Sequence, residues 1–198
     1  MRRIFIGTLV VLTIALINGC ASRKITRVDP SETIDLSGRW NDSDSRLVSE
    51  EMIGDLLTSA WIPRYLKAND KRPVVVVGLV ENKSHEHINS ETFIKDVEKA
   101  IIRDGNIRLV VAGEKRNELR KERAEQQDYA SPETTKKWGK ELGADFILQG
   151  TINSIVDSYK KQKVVTYQID LQLTNIETNE VVWMGDKKIK KQISDRVL

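Results

Sequence analysis

Residues 165–174, VTYQIDLQLT, decide the fold because their side chains alternate between apolar and polar types without interruption. The apolar side chains are those of Val165, Tyr167, Ile169, Leu171 and Leu173. Successive side chains of a β-strand point to opposite faces of its sheet. The pattern therefore predicts a strand with one buried face and one solvated face.

The segments on either side predict two more strands, Phe146–Val156 before this one and Val181–Ile189 after it. Lys160-Lys161-Gln162 joins the first pair, and Glu177-Thr178-Asn179-Glu180 joins the second. Strands that follow one another through such short polar turns pair side by side. The last third of the chain is therefore predicted to be an antiparallel meander.

The first half of the chain alternates between strand and helix patterns. Residues 73–79 contain four successive valines, which is typical of a strand buried on both faces, and Ile107–Val111 predicts another strand. Apolar residues recur at helical spacing over residues 43–60 and again after Asn89 or Ser90. We predict one α/β (α+β) domain with a mixed sheet of four or five strands and helices on both faces.

Two more helices are predicted between these halves. Glu114–Gln127 is strongly charged, with Leu119 as its main apolar residue. Ser131-Pro132-Glu133 is a typical helix start, and Gly143 follows that helix as a C-cap.

The amino terminus has the pattern of a targeting segment. Arg2 and Arg3 precede a mostly apolar run from Ile4 to Ile17, which is typical of a secretory signal and shorter than a membrane-spanning helix. Ile17-Asn18-Gly19-Cys20 resembles the bacterial lipobox, which implies cleavage before Cys20 and lipid attachment to its sulfur. Acyl chains on Cys20 would form a stable membrane anchor.

This interpretation gives the domain organisation. Residues 1–19 are a lipoprotein signal peptide, residues 20–32 are a lipidated terminus with a short tether, and residues 33–198 are the globular domain. Ala21 stands where an aspartate would resemble an inner-membrane retention signal, so outer-membrane sorting is expected in a bacterium with two membranes. About a dozen tether residues reach roughly 40 Å when fully extended.

Composition excludes several classes of protein. The 198 residues carry 32 lysines and arginines against 29 acidic residues, and the formal net charge of +3 is too small for a typical nucleic-acid binder. Removal of the leader takes away Arg2 and Arg3 and lowers the excess further. A single cysteine allows no intramolecular disulfide.

No catalytic motif is evident. The chain contains no Gly-x-Ser-x-Gly elbow, no phosphate-binding loop and no Gly-x-Gly-x-x-Gly. His85-Glu86-His87 could contribute metal ligands, but no second cluster of ligands is close in sequence, and a solvated loop is the favoured interpretation. We predict a protein that is not an enzyme and that has no cofactor and no metal.

Three surface features have two interpretations each. The charged helix Glu114–Gln127 is a docking face or, in the favoured interpretation, a solvated helix. Trp61 and Tyr65 are exposed contact anchors or seal a helix onto the sheet. Four lysines contact the anionic cell wall or protect a sheet edge, and they are Lys187, Lys188, Lys190 and Lys191.

Four segments resemble one known family. They are residues 35–42 (DLSGRWND), 76–88 (VVGLVENKSHEHI), 142–152 (LGADFILQGTI) and 175–183 (NIETNEVVW). In this order they are similar to the LpoB family of outer-membrane lipoprotein activators of penicillin-binding proteins, over about residues 33–191. The resemblance implies a domain similar to the amino-terminal domain of TolB.

The resemblance also implies a function without catalysis. The lipidated protein would face the periplasm from the outer membrane and bind a class A penicillin-binding protein, a bifunctional peptidoglycan synthase of the inner membrane. It would thereby stimulate cell-wall synthesis, with no nucleic acid and no small-molecule substrate involved. The contact residues on this partner surface are unknown. The alternative is an envelope or secretion-complex lipoprotein, a CsgG-like or TolB-like interaction module without a synthase-activating role.

Overall fold

The computed structural model describes residues 25–131 and 141–194. The chain divides into a unit up to Glu32 and a unit from Thr33 onward. In the first unit, the described residues 25–32 are exposed, and Ser31 donates hydrogen bonds to the Asp29 carboxylate. All helices and strands described below belong to the second unit.

The second unit contains four helices and five strands in the described residues. In chain order these elements are α1 (Asp42–Thr58), α2 (Trp61–Asn69), β1 (Val74–Asn82), α3 (Ser90–Asp104), β2 (Arg108–Val110), α4 (Gly113–Tyr129), β3 (Phe146–Tyr159), β4 (Gln162–Asn175) and β5 (Val181–Ser194).

The strands form one mixed sheet in the order β2-β1-β3-β4-β5. Strand β1 is parallel to both of its neighbours, and β3, β4 and β5 are antiparallel. The predicted α/β fold with a mixed sheet and a C-terminal meander is confirmed. Strands β3 and β5 both extend further than predicted, to Tyr159 and Ser194, because their polar ends continue the pairing with β4.

The alternating side chains of β4 lie on one buried face and one exposed face, as predicted. Its five apolar side chains are 0–1% exposed, and the intervening polar side chains from Thr166 to Thr174 remain partly exposed. Register places Leu173 opposite both Leu148 of β3 and Trp183 of β5. The three strands therefore share one buried face.

Strand β1 is buried on both faces over its first four residues, as its valines predict. Val75 and Val77 join the main core, and Val74 and Val76 are buried at 3% and 6% exposure outside that cluster. Such a strand cannot alternate in polarity, because both of its faces lose water on folding.

Helix ends follow the local sequence. Asn41 caps α1 in a reciprocal pair of hydrogen bonds with Asp44, and Asn89 caps α3. Gly105 ends α3 with φ of 77°, a left-handed conformation that glycine adopts without steric cost. Ile102, in the last turn of α3, is 64% exposed.

The helices contribute unequally to the core. Helices α1, α2 and α3 supply its buried helical residues, which pack on the shared face of the sheet. Helix α4 buries no residue, in line with a solvated helix, and Arg120 and Arg123 bind Glu141. The helix predicted to start at Ser131-Pro132-Glu133 falls mainly on residues 132–140, outside the described residues.

Trp61 and Tyr65 seal α2 onto the sheet. Each ring meets the Phe146 ring edge to face at 5.3 Å, and Trp61 is only 6% exposed. Beside them, Asp145 accepts a hydrogen bond from the Val74 N–H and pairs with Lys71. Burial raises the pKa of Asp145, but hydrogen bonds from Tyr65, Val74 and Lys71 outweigh burial and lower it overall.

Candidate functional site

Two of the segments that resemble the family meet at one end of the sheet. Residues 35–41, here called the strap, precede α1, and residues 83–89 form the β1–α3 loop. The Trp40 N–H of the strap donates to the Glu86 carboxylate of the loop at 3.1 Å. We take the surroundings of this contact as the candidate functional site.

The strap is attached to the sheet through Lys191. This β5 side chain is 8% exposed, and its Nζ lies 2.6 Å from Asp44 Oδ2 and 3.0 Å from Asp35 Oδ2. The same Nζ donates to the Arg39 carbonyl at 2.8 Å. A buried ammonium is costly unless it is paired and hydrogen-bonded, so these contacts fix the strap, the start of α1 and β5 relative to each other.

Gly38 permits this attachment. It has φ of 67°, and a Cβ at this position would lie 2.4 Å from Cγ1 of Ile193. Its N–H donates to the Asp35 carboxylate at 3.2 Å. Glycine suits this position for two reasons. It adopts the left-handed conformation without steric cost, and it has no Cβ to collide with β5.

The β1–α3 loop is held in place by Ser154 of β3. The His85 N–H donates to Ser154 Oγ at 3.0 Å, and His85 Nδ1 lies 2.7 Å from the same oxygen. The hydroxyl proton can then point to Nδ1, which leaves the ring proton on Nε2, 3.3 Å from Glu86 Oε1. Asn82 also supports the loop by donating to the Glu86 carbonyl.

Tyr167 forms the floor of the site. Its ring meets Trp40 edge to face at 5.5 Å and stacks on His85 at 6.3 Å. The buried hydroxyl lies near Glu86 without a hydrogen bond of normal geometry to any described residue. Burial raises the pKa of Tyr167 well above its usual range, and the Glu86 carboxylate raises it further.

A pocket of about 300 Å³ opens above these groups. Its lining residues are Arg39, Trp40, His85, Glu86, His87 and Lys163. Glu86, at 12% exposure, is already engaged by Trp40 and His85. Within residues 25–131 and 141–194, the side chains of Arg39, His87 and Lys163 have no ion pair or hydrogen bond.

His85 and His87 are both exposed, as a solvated loop predicts. The His85 ring also contacts Ser154 and Tyr167. No group of three or more potential metal ligands occurs among the described residues.

The four lysines of β5 do not share one environment, because successive side chains of a strand point to opposite faces of the sheet. Lys187 pairs with Glu51 of α1, and Lys191 is buried as described. Lys188 and Lys190 point to the other face and are exposed. Lys187 and Lys191 are therefore engaged in ion pairs within the domain, a role that neither interpretation included.

The sequence did contain one overlooked signal for the strap. Lys191 occupies the same alternation as Trp183, Ile189 and Ile193, so a cation falls on the inward face of β5. Its partners Asp35 and Asp44 could not be identified from the sequence, because they lie about 150 positions away. Cys20, the predicted lipid-attachment residue, lies outside the described residues.

The second face of β3, β4 and β5 is in contact with water and carries both polar and apolar side chains. Gln149, Thr151, Asp170 and Gln172 line a shallow depression there together with Leu79 and Met184. Among the described helices, none combines the length and the apolar character needed to cross a bilayer.

The fold and the site define an α/β domain whose polar groups hold loops together and present a basic pocket. A family model described as "Peptidoglycan-synthase activator LpoB" matches residues 44–189 of this chain. The chain belongs to the LpoB family. The family description is that of an activator of a peptidoglycan synthase, which is a regulatory role.

Several solved structures are similar to this chain at low identity. The LpoB C-terminal domain from Escherichia coli is 19% identical, with 77% of this chain and 99% of that chain covered and a TM-score of 0.43. The domain from Salmonella enterica is 16% identical, with coverage of 74% and 98% and a TM-score of 0.42. Lipoprotein GNA1162 from Neisseria meningitidis is 15% identical, with coverage of 61% and 83% and a TM-score of 0.37. The search of curated proteins found no match.

Proposed function

We propose that this protein is an outer-membrane lipoprotein that binds and activates a class A penicillin-binding protein, a bifunctional peptidoglycan synthase of the inner membrane. The observation that carries the proposal is the match of residues 44–189 to the family of synthase activators. The protein itself carries out no catalysis in this proposal. It acts by regulating the synthase in the periplasm.

The amino-terminal sequence supports the proposed location. Residues 1–19 would be removed as a signal peptide, and Cys20 would carry the lipid. The tether up to residue 32 would then connect the anchor to the globular domain from residue 33 onward. Because about a dozen residues reach roughly 40 Å at most, the synthase must supply the rest of the span across the periplasm.

Activation requires a preference between two states of the synthase. A protein that binds the resting and active conformations equally cannot change their ratio, however tightly it binds. A tenfold preference for the active conformation corresponds to a coupling free energy of about 1.4 kcal/mol. We therefore expect the affinity to rise when the synthase is held in its active state.

The test measures glycan polymerisation by the purified cognate synthase. The mature protein in a neutral detergent, or its soluble form of residues 21–198, should increase the polymerisation rate and bind the synthase directly. Absence of both effects would refute the activator role.

The anchor is tested separately from activation. A Cys20→Ala variant should leave the membrane fraction and still activate the synthase in detergent solution. If the variant stays in the membrane fraction, the lipid anchor at Cys20 is refuted, whatever the outcome of the polymerisation assay.

A further inference from the structure

The pocket above Tyr167 has an unbalanced charge. Arg39 and Lys163 contribute two permanent cations, and His87 adds a third basic group. These three side chains come from the strap, β4 and the β1–α3 loop, and none has a partner in the part of the chain that the structure describes. Basic side chains that line one pocket and have no partner in the described residues favour the binding of an anion there.

Glu86 is the acidic residue among the described lining residues, and its charge is already engaged. Its Oε2 accepts from the Trp40 N–H, and its Oε1 lies 3.3 Å from His85 Nε2. The carboxylate is only 12% exposed, so it acts as a fixed part of the wall. Arg39, His87 and Lys163 therefore remain available to a ligand.

Size and shape restrict the ligand further. A pocket of about 300 Å³ lies at the lower end of the range for small-molecule sites. Trp40 is held edge to face on Tyr167 and adds an aromatic residue to the pocket lining. A ligand that fits has a small anionic group next to a sugar ring or an aliphatic chain.

We propose that this pocket binds a carboxylate of the peptidoglycan, of the kind carried by its stem peptide next to a sugar or an aliphatic side chain. The planar guanidinium of Arg39 matches a carboxylate through two parallel hydrogen bonds, and Lys163 adds a point charge. The choice of peptidoglycan as the source rests on the proposed function, which places the domain within the cell wall. Binding there would give the domain a contact with the wall beside the synthase.

The test is calorimetric titration of the mature full chain in a neutral detergent with three probes. The probes are a soluble disaccharide-tripeptide fragment of peptidoglycan, the neutral disaccharide of N-acetylglucosamine, and inorganic phosphate. We expect the peptide-bearing fragment to bind and the neutral disaccharide not to bind. Added salt should weaken binding, because the contact is charged and partly exposed.

Two pocket variants and one matched control locate the site. Arg39→Gln and Lys163→Gln should each raise the Kd of the fragment about tenfold or more, since each removes a charge-assisted hydrogen bond. Lys188→Gln removes an exposed lysine that has no partner among residues 25–131 and 141–194. It lies on the opposite face of the same sheet, so the variant should leave the Kd unchanged. Unfolding curves of all three variants should coincide with that of the wild type.

Several results would overturn the assignment. They are absence of fragment binding, equal binding of the neutral disaccharide, tighter binding of phosphate than of the fragment, or equal weakening by Lys188→Gln. These outcomes are separate from the polymerisation assay. A protein that activates the synthase without binding the fragment refutes the pocket alone, and one that binds the fragment without activating refutes the activator role alone.

Discussion

The two faces of strands β3, β4 and β5 share one backbone but have opposite environments. On the face toward α1, Ile152, Tyr167 and Ile169 are fully buried. On the other face, Gln168 and Asp170 remain in contact with water. The difference shows that the buried face fixes the register, because a slip by one residue would exchange the two sets of side chains.

The lysines of β5 extend the comparison to charged groups. Lys191 points to the packed face and binds two carboxylates and a carbonyl, and Lys188 points to the wet face without a partner in the described residues. The same residue type three positions apart therefore has two different roles. One holds the strap in place, and the other is exposed on an edge strand, where a lysine disfavours pairing with the edge of another sheet.

Removal of the buried lysine should have the largest effect. Lys191→Ala leaves Asp44 buried and without its cation, and breaking a buried pair costs about 3–5 kcal/mol. We expect the free energy of unfolding, measured by urea titration, to fall by this amount. Lys188→Ala is the control and should change it by less than about 0.5 kcal/mol. Equal losses in the two variants would contradict the difference between the faces.

Two isoleucines of β3 make the same comparison without charge. Ile152 is fully buried, and Ile155, three positions later, is 71% exposed on the other face. Ile152→Ala removes methyl groups from a packed core and should cost about 2–5 kcal/mol. Ile155→Ala should change stability by less than about 0.5 kcal/mol in the same urea titration. A large loss for Ile155→Ala would mean that the second face is covered.

Asp145 lies directly before β3, where the sheet meets α2, and its charge is expected to stabilise the fold. Its pKa is lowered below 3.8, so its stabilising effect is complete above the pKa of the unfolded chain and disappears as pH falls through the folded pKa. Asp145→Asn should cost about 1 kcal/mol at pH 7, because a neutral amide oxygen accepts a weaker hydrogen bond from the Val74 N–H than the carboxylate does.

The pH dependence provides the check on Asp145. The difference in stability between wild type and Asp145→Asn should shrink as pH falls below about 4. In a Lys71→Met background, the loss of stability caused by Asp145→Asn at pH 7 should be smaller than in the wild type. A gap between wild type and Asp145→Asn that is constant from pH 7 to pH 3 would contradict the assignment of the charged carboxylate as the stabilising form.

Local patterns predicted the packed face well. The alternation in residues 165–174 and the valines of β1 each depend on neighbours along the chain, and both were confirmed. Asn89 and Gly105 likewise act within their own helix. Such features depend on side-chain periodicity and capping, which a single sequence displays directly.

The candidate site could not be predicted in the same way. Trp40 and Glu86 meet across 46 positions, and Lys191 meets Asp44 across 147 positions. Their contact depends on how β5 is registered against β4 and on how α1 crosses the sheet. The same limit applies to the pocket cations Arg39 and Lys163, which no motif connects.

The smallest expected effect concerns a like-charged pair on the wet face. Register places Asp186 of β5 directly opposite Asp170 of β4. Asp170 accepts hydrogen bonds from Gln168 and Asn153, but Asp186 has no partner in the described residues. Like charges directly opposite each other destabilise a sheet, so Asp186→Asn should raise the free energy of unfolding by about 0.2–1 kcal/mol at low salt. The gain should diminish at 1 M salt, where the Debye length is about 3 Å.

Asp157→Asn is the matched control, because Asp157 faces Val164, and it should have no such effect. A loss of stability in Asp186→Asn would show that this carboxylate is engaged, and the wet face would then be more ordered than its exposure indicates.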